Sequence, residues 1–425
     1  MLLLYNIALF FYRLFIFIAA LFGNKKAKQW IEGRKNIFQK IEDALSPITN
    51  HQSPITWIHC ASLGEFEQGR PLIEKLKIGN EKLKIIVTFF SPSGYEVRKN
   101  YQGADYIFYL PLDTKKNAKK FINLIRPDMV FFVKYEFWYH YFTELHKRKI
   151  PVYLVSTIFR PEQIFFKEYG KLFRDLLKTV SHFFVQNKTS ADLLKTIGIT
   201  NVTISGDTRF DRVYDTCQNI KKSPVIEQFK QNKKILLAGS TWAEDEKIIY
   251  DLPLEKYGLK LILAPHEVHE SHIQSIIQQF SSTLAPSQII RYSQANENNV
   301  KEMQMLIIDN IGMLSSLYQY GEIAYIGGGF GKGIHNILEA ATFEMPIFFG
   351  TNYHRFQEAK ELIKLGSAFS INNADELKNK IEALCGNKHL LYELSQISKK
   401  YVEDNTGATS VIIEYLKKVQ SFRKS

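Results

Sequence analysis

From residue 55 onward, short apolar runs alternate with longer segments of helical length and period. The runs Ile55–Cys60, Lys84–Phe89, Tyr106–Tyr109, Met129–Val133, Val152–Val155, His182–Val185 and Val202–Ser205 predict strands. Intervening stretches such as 114–125 and 161–180 predict helices. A second series follows, at Ile235–Ala238, Leu259–Ala264, Met305–Ile308, Ile323–Ile326, Pro346–Phe349 and Ala368–Ile371, and helical segments from Ala374 close the chain. Repeated strand–helix–strand units imply parallel sheets covered on both faces. Two stretches break the rhythm. Lys35 to Ser53 reads as a polar connector, and Phe210 to Asn232, polar and carrying Pro224, reads as a linker. The expected fold is α/β, with two tandem Rossmann-like domains at 31–215 and 216–405, a cleft between them and a helix at 406–425. Ligands in such sheets sit beyond the carboxyl ends of the strands, so the loops there matter most.

One of those loops dominates the second half. After the apolar run Ile323–Ile326, five of the next seven residues are glycine: Gly327, Gly328, Gly329, Gly331 and Gly333. Ile337, Leu338, Ala340 and Ala341 then carry helical spacing. Strand, glycine turn and helix together build an anion site, where backbone and helix N-terminus meet a phosphate. The spacing is neither GxGxxG nor a Walker loop. Glu339, about one turn into that helix, is placed to receive ribose hydroxyls. A tight turn needing positive φ explains two of the glycines but hardly five.

The first residues add a membrane element. Leu2 to Phe22 is almost wholly apolar, interrupted by Asn6, Arg13 and tyrosines, and is long enough to cross a bilayer. A charge at mid-membrane costs at least about 2.5 kcal/mol, so Arg13 favours a shallow or interfacial helix as much as a full span. Lys25, Lys26 and Lys28 follow, keeping the remainder on the cytoplasmic side. A cleaved signal peptide is the rival reading, weakened by the lack of a basic leading segment and a small-residue cleavage pattern. Residues 1–30 are expected to anchor the chain.

Composition narrows the partners. At 425 residues, with 45% hydrophobic and 23% charged positions, the chain is an ordinary globular one of two domains. Its net charge of +12 favours an anionic partner. Three scattered cysteines form no CxxC pair, which fits a reducing compartment.

Several strand ends carry candidate chemistry. The first ends in His59-Cys60-Ala61-Ser62-Leu63-Gly64-Glu65-Phe66-Glu67. Glu65 stands at a helix entrance, either as a general base facing the cleft or as a first-turn carboxylate complementing the dipole; Glu67 is second choice. Glu136, in Lys134-Tyr135-Glu136-Phe137-Trp138, is either a carboxylate whose pKa its aromatic flanks raise or a core-edge cap. Arg209, in Ser205-Gly206-Asp207-Thr208-Arg209-Phe210-Asp211, either reaches a phosphate or pairs with Asp211. Ser240 and Thr241 follow a strand and suit a phosphate, a sugar or a helix cap. Pro265-His266 ends the next strand, with His266 read as a ring on a base or phosphate. His266, His269 and His272 repeat every three residues, a weak metal pattern that drifts around a helix. Ile311, Gly312 and Met313 offer backbone for a base pocket. Lys167, Lys171, Arg174 and Lys178 form one basic helical face, either solvated or turned to lipid headgroups.

The blocks His59–Glu65, Tyr135–Trp138, Ser205–Asp211 and Ala264–His266, with His335-Asn336-Ile337-Leu338-Glu339, resemble the signature motifs of the bacterial Kdo transferases, GT-B glycosyltransferases that move 3-deoxy-D-manno-octulosonic acid (Kdo) from CMP-Kdo to a lipid A precursor. The motifs run in the family's order along nearly the whole chain. Two positions depart: Cys60 stands where a small residue is usual, and Arg209 where Lys is. The resemblance implies lipopolysaccharide biosynthesis at the cytoplasmic face of the inner membrane, with an anionic lipid surface and no nucleic acid among the partners, and no cofactor or metal. It implies Glu65 as base, with Glu136 and Arg209 stabilising developing charge. Ser62, Gly64, Ser240, Thr241, Pro265, His266, Ile311–Met313, Gly329 and Asn336–Glu339 would contact CMP-Kdo. A transferase using a UDP-sugar is the alternative on this scaffold; a membrane-tethered nucleic-acid-binding protein, suggested by charge alone, predicts salt-sensitive oligonucleotide binding.

Overall fold

The computed structural model describes residues 1–46, 53–80, 82–218 and 220–424. It divides into two compact units, Met1–Arg212 joined by Thr406–Ser425, and Val213–Asn405. The first contains β1 (Ile55–Cys60), β2 (Lys84–Phe89), β3 (Tyr106–Tyr109), β4 (Met129–Val133), β5 (Val152–Thr157), β6 (His182–Val185) and β7 (Val202–Ile204). The second contains β8 (Lys234–Thr241), β9 (Leu259–Pro265), β10 (Ile289–Arg291), β11 (Met305–Ile307), β12 (Ile323–Ile326), β13 (Ile347–Phe349) and β14 (Ala368–Ser370). The strand orders are β3-β2-β1-β4-β5-β6-β7 and β10-β11-β9-β8-β12-β13-β14, and the paired strands are parallel throughout. This is the expected pair of Rossmann-like units.

Adjacent residues on a strand feed opposite faces, and both faces are apolar. In β4, Phe132 packs with Trp57 and Leu154, whereas Phe131 packs with Ile58, Val87 and Phe184. That burial accounts for the near-continuous apolar runs. The order reverses between β1 and β4 in one sheet and between β8 and β12 in the other, and the segments beyond the carboxyl ends of those strands are where such sheets place their ligands. Glu65 and Glu136 follow β1 and β4; the glycine loop follows β12.

Several expectations fail. Much of the polar connector is a helix, Ile37–Leu45, because Ile37 and Ile41 fall one turn apart and bury together; residues 47–52 lie outside the described residues. The expected linker contains helices Thr208–Gln218 and Pro224–Lys230, the latter with Pro at its first position and Ile226 and Phe229 buried. Within 161–180 only Lys171–Leu177 is α-helical. Lys167 is extended, and the Arg174 guanidinium donates to the carbonyls of Phe165, Lys167 and Glu168, so the single basic helical face does not form. Strand β10 was not expected: three half-buried residues between 3-10 turns carry too little pattern.

The N-terminal helix, Leu2–Leu21, is long and apolar enough to cross a membrane. It lies against the first unit by its polar exceptions. Tyr5 donates to Asp113 at 2.6 Å, Asn6 Oδ1 meets His140 Nε2 at 2.7 Å, and Tyr12 packs on Trp30 and Phe90. Leu3, Leu4, Phe10, Phe15 and Phe17 are exposed.

Candidate active site

In the first unit, β1 and β4 pair directly, Thr56 opposite Met129, so the segments leaving their carboxyl ends start side by side. Glu65 occupies the first turn of the Leu63–Gly79 helix, where its Oε2 accepts from the Ala61 N–H at 2.5 Å. Burial pushes its pKa up to about 7, and the negative charge of Glu136 pushes the same way. The Ala61 N–H and the Lys134 ammonium pull against them without cancelling. A carboxylate balanced near neutrality, half-buried just beyond the carboxyl end of β1, is suited to accept a proton. Ser62 stands at the helix N-cap without a side-chain capping bond, and Gly64 is exposed with open space around it.

Glu136 is held from two sides. Trp138 Nε1 donates to its Oε2 at 2.8 Å, and His59 Nε2 lies 3.4 Å from the same oxygen. His59 is fully buried, and its Nδ1 meets the Thr88 hydroxyl at 2.9 Å, which in turn accepts from Trp57 Nε1 at 2.8 Å. Trp138 Nε1 also lies 3.3 Å from His59 Nε2, so the indole, the imidazole and the Glu136 carboxylate meet at one point. Glu67, by contrast, is engaged by Arg98 at 2.6 Å and Arg212 at 3.1 Å.

Arg209 sits at the start of the Thr208–Gln218 helix. Its Nε donates to Asp207 at 2.8 Å, while Asp211 accepts from the Gly407 and Thr409 N–H groups. Gln68 also donates to the buried Asp207, and Thr208 Oγ1 donates to the Gln68 carbonyl. These bonds fasten Arg209's helix to the helix that carries Glu65.

In the second unit, β8 runs on through Thr241, so Ser240 and Thr241 lie within the strand rather than after it. The register shifts there, Ser240 adopts φ 54°, and the buried Thr241 hydroxyl donates to Glu246. The glycine loop is more structural than expected. A Cβ on Gly327 would stand 2.2 Å from the Ser240 carbonyl oxygen, and one on Gly329 2.4 Å from the Gly350 nitrogen; Gly328 and Gly333 have positive φ. Backbone packing and left-handed geometry thus account for four of the five glycines. The buried Asp245 carboxylate secures the loop, accepting from Gly328 N–H, Trp242 N–H and the Tyr325 hydroxyl.

The following helix is short, Leu338–Thr342, and Glu339 lies in its first turn rather than one turn in. Asn336 Oδ1 accepts from the Leu338 N–H. Pro265 ends β9, and the exposed His266 ring stacks between Trp242 at 4.5 Å and His335 at 4.6 Å. His272 turns to Glu246, so the three spaced histidines do not converge. Ile311 is exposed, Gly312 has φ 98°, and Met313 is the N-cap of the short helix Leu314–Leu317.

Residues 34–212 match the protein family described as 3-deoxy-D-manno-octulosonic-acid transferase (kdotransferase). The chain is 27% identical over 374 residues to the 3-deoxy-D-manno-octulosonic acid transferase of Haemophilus influenzae, covering 85% of this chain and 86% of that one. It is 29% identical over 386 residues to the enzyme of the same name from Rickettsia bellii, covering 87% and 88%. These matches make the chain similar to the Kdo transferases, by the family model over residues 34–212 and by the relatives over most of its length. Its fold is also that of a UDP-GlcNAc 2-epimerase from Neisseria meningitidis, with a TM-score of 0.61 at 15% identity over 86% of this chain and 100% of that one.

The region that matches the Kdo transferase model contains Glu65, Glu136 and Arg209. Sequence reasoning gave no role to His59, Lys134 or Trp138, although all three lie in motifs it singled out. Lys134 has φ 63°, a left-handed conformation that a non-glycine residue adopts at a cost of about 1–3 kcal/mol and that clusters at functional sites.

Proposed function

We propose that this chain is an inverting glycosyltransferase that moves Kdo from CMP-Kdo to a lipid A precursor, in lipopolysaccharide biosynthesis. The carrying observation is the Glu65 carboxyl, poised near neutrality beside Glu136 at the β1/β4 switch point. In this reading Glu65 takes the proton from a primary hydroxyl of the acceptor's glucosamine disaccharide. The freed oxygen attacks the anomeric carbon of Kdo as the bond to the CMP phosphate breaks, and CMP leaves with the electron pair. Glu136, fixed by Trp138 and His59, and Arg209, fixed by Asp207, balance charge as the sugar becomes oxocarbenium-like.

The first unit takes the acceptor and the second takes CMP-Kdo. Pro265, His266, the backbone of Ile311–Met313 and Asn336–Glu339 serve base, phosphate and ribose. Ser62, Gly64, Ser240, Thr241 and Gly329 complete the donor contacts, Ser240 and Gly329 through backbone. The N-terminal helix, with its exposed phenylalanines and leucines, holds the enzyme at the cytoplasmic face of the inner membrane.

The test combines product and binding measurements. With purified protein, CMP-Kdo and a lipid A precursor, mass spectrometry should show the lipid gaining the mass of Kdo. Glu65→Ala should abolish that gain while calorimetry still shows CMP-Kdo binding. Retained turnover in Glu65→Ala removes Glu65 from the mechanism.

A further inference from the structure

An open cavity of about 1220 Å³ lies in the first unit, walled by the N-terminal helix, the helices Lys25–Arg34 and Ile37–Leu45, and the start of Lys115–Ile125. Its lining divides into two chemistries. Phe10, Leu14, Phe17, Ile37 and Phe38 supply apolar surface. Arg13, Arg34, Lys35 and Lys120 supply four cations, against the single carboxylate of Glu32 among the described residues.

Two features of the wall ask for an anionic, acceptor-rich ligand. The Arg34 guanidinium donates to the carbonyls of Trp30, Phe90 and Leu110 and lies over the Trp30 ring at 3.9 Å, yet has no carboxylate partner among the described residues. A desolvated cation without a counter-ion is costly, and burial lowers its pKa to about 9. Trp30, 7% exposed, has a buried Nε1–H with no acceptor among the described residues. Indole N–H groups normally find a partner when buried.

We infer that this cavity binds one phosphate-bearing, acylated membrane lipid. The phosphate is met by Arg13, Lys35 and Lys120 at the rim, the positive field of Arg34 stands behind them, and an acyl chain lies along Phe10, Leu14 and Phe17. The exposed apolar residues of the N-terminal helix bring the cavity to the bilayer, so the ligand enters without crossing water. The same wall leads toward the carboxylates: Phe90 packs on Trp30 and, at 4.7 Å, on Trp138, which bonds Glu136.

The experiment measures lipid retained per chain by native mass spectrometry of the full protein in neutral detergent. Three probes are added separately: phosphatidylglycerol, phosphatidylcholine and a phosphorylated lipid A precursor. One phosphatidylglycerol or one precursor should remain per chain, with phosphatidylcholine retained far less. The exposed pair Lys35→Glu with Lys120→Glu should weaken retention by about tenfold or more, from about 1 kcal/mol for each charge brought to a phosphate. The control pair Lys25→Glu with Lys26→Glu, equal in charge change and outside the cavity, should leave it unchanged. Competition separates the sources: displacement of phosphatidylglycerol by the precursor makes this the acceptor's own chain site, and the reverse makes it a bulk-lipid site. Equal weakening by the two double variants, or no stoichiometric lipid, overturns the inference. Retention and sugar transfer are separate readouts, so failure here leaves the transferase reading standing.

Discussion

At the scale of single residues, the central quantity is the protonation of Glu65. Burial and Glu136 raise its pKa to about 7, so the carboxylate form that accepts a proton is the majority above that pH and the minority below. The rate of transfer should rise with pH through about 7, falling roughly tenfold per unit on the acid side. Glu136→Gln removes one of the two raising influences, so the acid limb should move to lower pH, alongside any loss of turnover. A pH profile of kcat/KM in both proteins checks this; an unmoved limb in Glu136→Gln uncouples the two groups. Cys60, fully buried, has its thiol pushed well up by burial. It should resist iodoacetamide in the native state while the partly exposed Cys217 and Cys385 are modified, read by peptide mass spectrometry. Both carboxylates were legible in the sequence because each ends an apolar run. Their partnership was not, since it depends on β1 pairing with β4 across some seventy residues. His59 looked like one more strand residue, and only the fold shows its ring against Glu136.

Among elements, strands were easier to read than polar helices. Buried parallel strands are almost uninterrupted runs, whereas Ile37–Leu45 and Pro224–Lys230 bury only a narrow stripe and look polar overall. The glycine loop taught the opposite lesson, since its density reflects backbone contact with neighbouring loops as much as any ligand. Gly329→Ala should be severely destabilising, because its Cβ would lie 2.4 Å from the Gly350 nitrogen and neither backbone can yield cheaply. We expect a loss of about 3 kcal/mol, the upper end of what overfilled and strained buried packing costs. Gly331→Ala, with only the Gly328 carbonyl oxygen at 3.8 Å, is the tolerated control. Thermal melts compare the two. The N-terminal helix offers a gentler test. Tyr5→Phe removes a donor to the buried Asp113 and should loosen helix docking by about 1–3 kcal/mol, seen as faster amide exchange across 2–21 with the sheet unaffected.

For the whole molecule, two-domain architecture could be inferred from length and the repeated alternation, but the unit to which the final helix returns could not. The final helix, Ala408–Lys424, packs on the Leu63–Gly79 helix of the first unit, burying Ile412 and Leu416 with Ile58, Val87 and Phe131. Asp211 fixes its start through the Gly407 and Thr409 N–H groups. Nothing in the local pattern of 408–424 distinguishes this destination from packing on the sheet before it. Deleting 408–424 should therefore unprotect amides in the first unit and spare those of the second. Leu416→Ala alone should cost about 2–5 kcal/mol, measured by denaturant unfolding of the first unit.

That returning helix also sets an order of events during synthesis. Most of the first unit leaves the ribosome before any of the second, yet one wall of its core is missing until translation has passed through nearly two hundred intervening codons. The second unit can condense as a continuous segment, while the earlier one waits with an apolar face open. For a chain whose leading helix is itself greasy, that interval is when a chaperone, or the membrane, has most to shield.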